Sequence, residues 1–428
     1  MMLYQLSHVR VGLHQAARPE ATRLRPTSAT RRRGELYRIP GQAQIPFAQR
    51  GRSGAPPTLV RVHDLPPLAR FGGLLATDLR EVTGDPEALD SRGWWAVVAD
   101  FEGGLTCARF GDVRSDPARS RRPHHARWRG PAPGDWTSSL DRAGYTAGVR
   151  RIREHIAAGD VYQANLCRIL TAPLPDPRLE ASDVDAFGAL LAAGNPAPYA
   201  GTVRLPAHGV EVATASPELY LRREGDTVTS GPIKGTGRTA ADLLEKDHAE
   251  NVMIVDLVRN DLGRVCATGS VTVPDLCAVE AHPGLVHLVS TVRGRIADAG
   301  DGRTWARLLD GTFPAGSVTG APKRSALDVI RSLETAPRGP YCGGVGWVDA
   351  DRGTGELAVG IRTFWIDRAH PAGPVLRFGT GAGITWDSAP EREWAETELK
   401  ASRLLAVASG TGPAEPVPGN RQEERTTT

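Results

Sequence analysis

Lysine is almost missing from this 428-residue chain: only Lys234, Lys246, Lys323 and Lys400 occur among 52 basic residues, the rest being arginine. Arginine stays charged in any protein environment, whereas a desolvated lysine can lose its proton and attack as a nucleophile. Each lysine kept here is therefore a chemical candidate. Long apolar runs are missing too. No stretch approaches the ~20 consecutive apolar residues that span a bilayer, and the N-terminal text MMLYQLSHVRVGLHQAARPE lacks the apolar core of a secretory signal. Membrane-spanning and secreted classes are excluded on that reading. The five cysteines, Cys107, Cys167, Cys266, Cys277 and Cys342, form no CxxC or Cys/His cluster. Neither a disulfide framework nor a zinc site is expected, and a reducing cytoplasm is. There is no internal repeat and no glycine fingerprint of a dinucleotide site.

What is present reads as globular: 40% hydrophobic and 24% charged residues, enough for one large domain or two ordinary ones. The net charge of +3 is unevenly spread. Residues 1–57 hold ten arginines against Glu20 and Glu35, which leaves about −5 for the remainder by subtraction. That basic, breaker-rich segment reads as an extension without a core, with nucleic-acid contact as the competing use. An N-terminal subdomain is expected over 58–137, including the apolar strand WWAVVADF (94–101) and ending in a polar, Pro-rich linker from 111. A larger unit follows over 138–408, then a polar tail over 409–428. The period of TAGVRRIREHIAAG (146–159) predicts a helix capped by Gly159. The His124–His125 pair has no carboxylate or cysteine placed to complete a metal site.

Three groups of residues carry possible chemistry. In SGPIKGTGR (230–238), Lys234 stands beside an isoleucine between Pro232 and Gly235, where desolvation would favour its neutral amine. Glu218, at the end of the strand-like VEVATAS, could exchange a proton with it if the segments pair. A solvated, turn-flanked lysine and a surface glutamate fit the same text. Asp247 and Glu250, like Glu393 and Glu396, are spaced i, i+3 on amphipathic helices and so share a face. Converging, these carboxylates would suit a hard ion such as Mg²⁺; separately, each pair is an ordinary solvated face. The glycine-rich FPAGSVTGAPKR (313–324), CGGVG (342–346) and FGTGAGI (378–384) allow backbone approach to an anion or simply make tight turns. Arg362 interrupts the apolar, strand-like ELAVGIRTFWI (356–366) and needs a carboxylate from the protein or from a ligand.

The order of these motifs, GDVYQANL, SPELY, GPIKGT, KDHAENVMIVDLVRNDLGRV, HLVSTVRG, FPAGSVTGAPK, YCGGVGW, IRT, GAGI and ExxE, closely resembles the chorismate-utilising enzymes over residues 145–405. That family includes anthranilate synthase component I, aminodeoxychorismate synthase component I, and isochorismate and salicylate synthases. The resemblance implies an α/β (α+β) fold of two large antiparallel sheets packed face to face with helices outside. Lysine as the third residue of PIxGT looks like the aminodeoxychorismate branch, where anthranilate synthases typically have alanine.

Carried over, the resemblance implies that Lys234 attacks carbon 2 of chorismate while Glu218 assists departure of the 4-hydroxyl. His287 falls at the family's active-site histidine. It implies Mg²⁺ held by Glu250 and Glu396, with Asp247 and Glu393 supporting. Gly235, Thr236, Tyr341, Arg362 and the backbone of Gly381, Ala382 and Gly383 would complete the substrate site. A separate glutamine amidotransferase subunit is the implied ammonia source, and neither membrane nor nucleic acid is an implied partner. Two departures stand out. Little of the family's inhibitor-site text is present beyond PAPYA (196–200), a hint of a tryptophan pocket, and Cys167 replaces a common hydroxyl residue.

Overall fold

The computed structural model describes residues 65–116, 128–175, 182–237, 239–282, 285–298 and 300–411. The expectations for 1–57, for His124–His125 and for the tail from 412 onward lie outside them. In chain order the strands are β1 (Leu68–Phe71), β2 (Leu74–Thr83), β3 (Trp94–Ala99), β4 (Leu105–Ser115), β5 (Thr137–Ser138), β6 (Gln163–Pro173), β7 (Tyr199–Leu205), β8 (Val210–Ser216) and β9 (Leu219–Glu224). They continue as β10 (Thr227–Gly231), β11 (Ile233–Gly237), β12 (Thr272–His282), β13 (Leu285–Arg295), β14 (Gly320–Ala321), β15 (Gly344–Asp349), β16 (Thr354–Val359), β17 (Thr363–Asp367) and β18 (Val375–Ile384). The helices are α1 (Arg142–Ala158), α2 (Val184–Gly194), α3 (Glu245–Gly263), α4 (Thr304–Thr312), α5 (Lys323–Leu333) and α6 (Pro390–Ala408). Among the described residues no helix is long and apolar enough to cross a membrane.

Local sequence accounts for the clearest elements. All six residues of β3 are buried, as a continuous apolar run requires of a central strand. Helix α1 starts where the Asp141 carboxylate accepts the Gly144 N–H at 2.7 Å, and it stops on Gly159 at φ +83°. The named strand pairs are antiparallel and join in one bonded ribbon. One half runs β12–β13–β10–β9–β16–β15–β3–β4. The other runs β1–β7–β8–β17–β18–β6, and β2 bonds to both β4 and β1. The halves face each other: Trp94, Ala96, Val98 and Val345 of the first share one core with Val203, Leu205 and Val212 of the second. The two expected sheets are thus the two halves of a single ribbon, with α3 and α4 packed in the largest core and α2 and α6 in another.

Two segments differ from their sequence reading. β4 runs to Ser115, into the first residues of the expected linker. The apolar run 356–366 is two strands, because the Gly343 carbonyl takes the Gly360 N–H at 2.8 Å and Arg362 turns to φ +52°. A tertiary bond, invisible in the local pattern, breaks it.

Candidate active site

Lys234 lies on a strand where the proline- and glycine-rich text reads as a turn. β11 pairs with β13, Lys234 opposite Leu288 and Thr236 opposite His287, with a bulge between them at Gly235. Gly235 sits at φ +72°, and a β-carbon there would fall 2.9 Å from Asp247 Cβ. Glycine is required on both counts, and the bulge re-aims the neighbouring lysine. Lys234 is half-buried, and His287 is buried on β13.

Glu218 occupies the short link between β8 and β9 and is buried. Its backbone is pinned on both sides: its N–H donates to Ser216 Oγ at 3.2 Å, and its carbonyl accepts the Val359 N–H at 3.0 Å. Burial pushes its carboxyl up to about 7, while a hydrogen bond from Ser317 and the charge of Lys234 pull it down. A carboxyl that can carry a proton near neutrality thus stands within electrostatic reach of a lysine.

The acidic residues of α3 and α6 converge on the same lysine. Burial raises Glu250; the charges of Lys234 and Lys246 oppose that rise, while Asp247 and Glu396 add to it. Burial also raises Glu393, against a hydrogen bond from Ser388 and with the help of Glu396. Partial burial would raise Glu396 as well, but Lys400 at 2.7 Å, with Lys246 and Lys234, holds it below the usual range. Asp247 has a second task, accepting the Leu244 N–H at 2.8 Å to cap α3. Among the described residues no three His, Cys, Asp or Glu side chains lie close enough to hold a metal by themselves. Carboxylates of α3 and α6 whose charges act on one another are nevertheless the donor chemistry that a hard cation takes. Mg²⁺ commonly takes only one or two protein carboxylates, filling its sphere with water and substrate oxygen.

The glycine face lies alongside. In β18, Gly381, Ala382 and Gly383 pair with Cys167, Leu166 and Asn165 of β6. Ala382 turns its methyl into the core beneath α1, so only its backbone can serve a ligand. A β-carbon at Gly381 would lie 2.5 Å from Cys167 Sγ, and one at Gly383 would collide with the Gln163 amide. Tyr341 is buried with its ring across Gly379. Arg362, half-buried, finds no carboxylate among the described residues; burial lowers its guanidinium, as does the charge of Arg403.

Two residues were given no specific role by the sequence. Lys400 donates to the Gly381 carbonyl at 3.1 Å and ties the glycine face to Glu396; its signal was its rarity and its i+4 spacing from Glu396. Gln163 is buried with its Oε1 unbonded, and nothing in its text marks it.

The description "chorismate binding enzyme" matches residues 105–406, well over half of the chain. The chain belongs to that family. It is 42% identical over 284 residues to anthranilate synthase component 1 of Streptomyces coelicolor, covering 64% of this chain and 52% of that protein. It is 34% identical over 331 residues to aminodeoxychorismate synthase component 1 of Salmonella typhimurium, covering 73% and 68%. The chain thus spans about half the length of the first of these curated relatives. Among solved structures, anthranilate synthase component I from Streptococcus pneumoniae superposes with a TM-score of 0.62 at 23% identity, over 80% of this chain and 90% of that one. That likeness shows the mixed α/β fold with its large antiparallel sheet.

Proposed function

We propose that this chorismate-utilising enzyme is an aminodeoxychorismate synthase component I, which forms 4-amino-4-deoxychorismate from chorismate and ammonia. The observation that carries the reading is Lys234 on the β11 bulge, within electrostatic reach of a buried Glu218 whose carboxyl sits near 7. In this reading the Lys234 amine attacks ring carbon 2 while Glu218 gives its proton to the departing 4-hydroxyl. Ammonia then adds at carbon 4, and the lysine amine leaves carbon 2. Arg362 binds a substrate carboxylate. Glu250 and Glu396 would hold Mg²⁺, with Asp247 and Glu393 supporting. The ion would supply charge for a substrate carboxylate. Tyr341 and the Gly381–Gly383 backbone wall the ring, and His287 lies on β13 opposite Thr236. Ammonia would come from a separate glutamine amidotransferase subunit.

The relative at 42% identity favours a second reading, anthranilate synthase component I. Incubation with chorismate, Mg²⁺ and an ammonium salt, with the product read by mass and fluorescence, separates the two. The expected main product is 4-amino-4-deoxychorismate, and Lys234→Ala should slow its formation while leaving chorismate binding intact. Fluorescent anthranilate as the main product, or full activity in Lys234→Ala, would defeat the proposal.

A further inference from the structure

The loop 313–322, between α4 and α5, is gripped from its far end. Lys323 reaches back to donate to the Thr312 carbonyl at 2.8 Å and to Asp261 Oδ2 of α3 at 2.7 Å. Both Lys323 and Asp261 side chains are largely buried, at 18% and 8% exposure. The loop backbone lies close against α3: a β-carbon on Gly316 would stand 3.2 Å from Leu257 Cβ and 3.4 Å from Asp261 Oδ2. From the opposite side, the Asn165 side-chain amide donates to the Ser317 carbonyl at 3.0 Å, and Arg338 donates to the Val318 carbonyl at 2.9 Å. The Tyr220 hydroxyl bonds Thr312 Oγ1 at 2.6 Å. Between these grips is a small cavity whose lining includes Glu218, Tyr220, Asp261, Thr312 and Ser317 beside apolar side chains such as Leu219, Val258 and Leu262.

Nothing in the reaction proposed above uses Lys323, yet it is one of four lysines in the chain and is drawn out of water. We propose that Lys323 is a positioning residue: with Asp261 and the Thr312 carbonyl it fixes the 313–322 loop so that Ser317 faces the Glu218 carboxyl. The proposal rests on the reading of Glu218 as proton donor. The groups that face Glu218 are Lys234 from β11, Ser317 from the loop, and, around the shared cavity, Asp261 from α3 and Tyr220 from β9. Of these, Lys234 and the Ser317 hydroxyl favour its ionised form. Without the clamp, Ser317 drifts and the carboxyl holds its proton to higher pH.

The test reads Glu218 directly, by pH-dependent infrared difference spectra of the protonated carboxyl, assigned by the band lost in Glu218→Gln. Ser317→Ala should raise the midpoint by about one pH unit, the size of one hydrogen bond to a charged group. Lys323→Met leaves Asp261 buried and unpaired and can fail to fold. Lys323→Met with Asp261→Asn removes that charge and keeps the test available. The double variant should show the same rise, with no further rise when Ser317→Ala is added, and the alkaline limb of kcat should move with it. An unchanged midpoint in the folded double variant, or a rise that adds to that of Ser317→Ala, would overturn the proposal. Turnover persisting in Glu218→Gln would sink the proton-donor reading instead, and the infrared shift would still uphold the clamp.

Discussion

A carboxyl that ionises near 7 in the folded chain and at 4.5 as an ordinary glutamate binds its proton more tightly when folded. Glu218 therefore stabilises the fold fully below pH 4.5, and that contribution is lost as pH rises through about 7. At 1.36 kcal/mol per unit the loss reaches about 3 kcal/mol. Glutamine has similar shape and cannot ionise. Glu218→Gln should thus unfold at higher urea than the parent at pH 8.5, with the gap closing toward pH 5, while turnover falls by about 10²–10⁴-fold, the usual worth of a general acid. A gap that stays constant with pH would mean that burial does not hold this proton. Both Glu218 and Lys234 were legible as candidates, but the sequence could not choose between a reactive pair and two solvated side chains. The choice turns on the Gly235 bulge against Asp247, a contact between segments that share no local pattern.

Among the elements, one guanidinium joins several parts of the site. Arg338 is 1% exposed, pairs with Glu334 through two bonds at 2.8 and 2.6 Å, and donates to the carbonyls of Val318 and Asn165. Its own carbonyl accepts the Tyr341 N–H, and Glu334 accepts the Cys167 N–H at 2.8 Å. The Ser317 loop, β6 and the Tyr341 segment are tied at this point. Arg338→Met should lower stability by about 3–5 kcal/mol, since it leaves a buried carboxylate unpaired, and adding Glu334→Leu should recover part of that in chemical denaturation. No recovery would assign the loss to the carbonyl bonds instead. Elements made by local rules were legible: α1 from its period and Gly159, β3 from its unbroken apolar run. Those made by tertiary bonds were not. The Gly343 carbonyl splits β16 from β17, and β11 looked like a turn because its glycine serves a bulge. Arg338 itself was one arginine among many.

In the whole molecule, the site draws on both halves of the ribbon: β11, β13 and α3 from one side, β18 and α6 from the other. The four lysines all fall there, three among the clustered carboxylates and one in the loop clamp. In the proposed reading ammonia comes from a separate glutaminase subunit and not from a cysteine of this chain. Four of the cysteines are buried and Cys277 is half-buried, and burial pushes Cys107 up to about 12 and Cys266 up to about 11, which keeps those thiols inert. Glutamine alone should therefore support no turnover, and an ammonium salt should. The pH dependence of that ammonium-supported rate follows from two opposed protonations. Raising the pH converts ammonium to the nucleophilic neutral form, while the same rise strips Glu218 of the proton it must donate. At fixed total ammonium the rate should pass through a maximum, whereas Glu218→Gln, which has no proton to lose, should show only a low rate that climbs with pH. Product formation measured in overlapping buffers checks both curves. A parent rate that rises without a maximum would mean that Glu218 does not act as the acid, and turnover on glutamine alone would mean that amide hydrolysis resides in this chain.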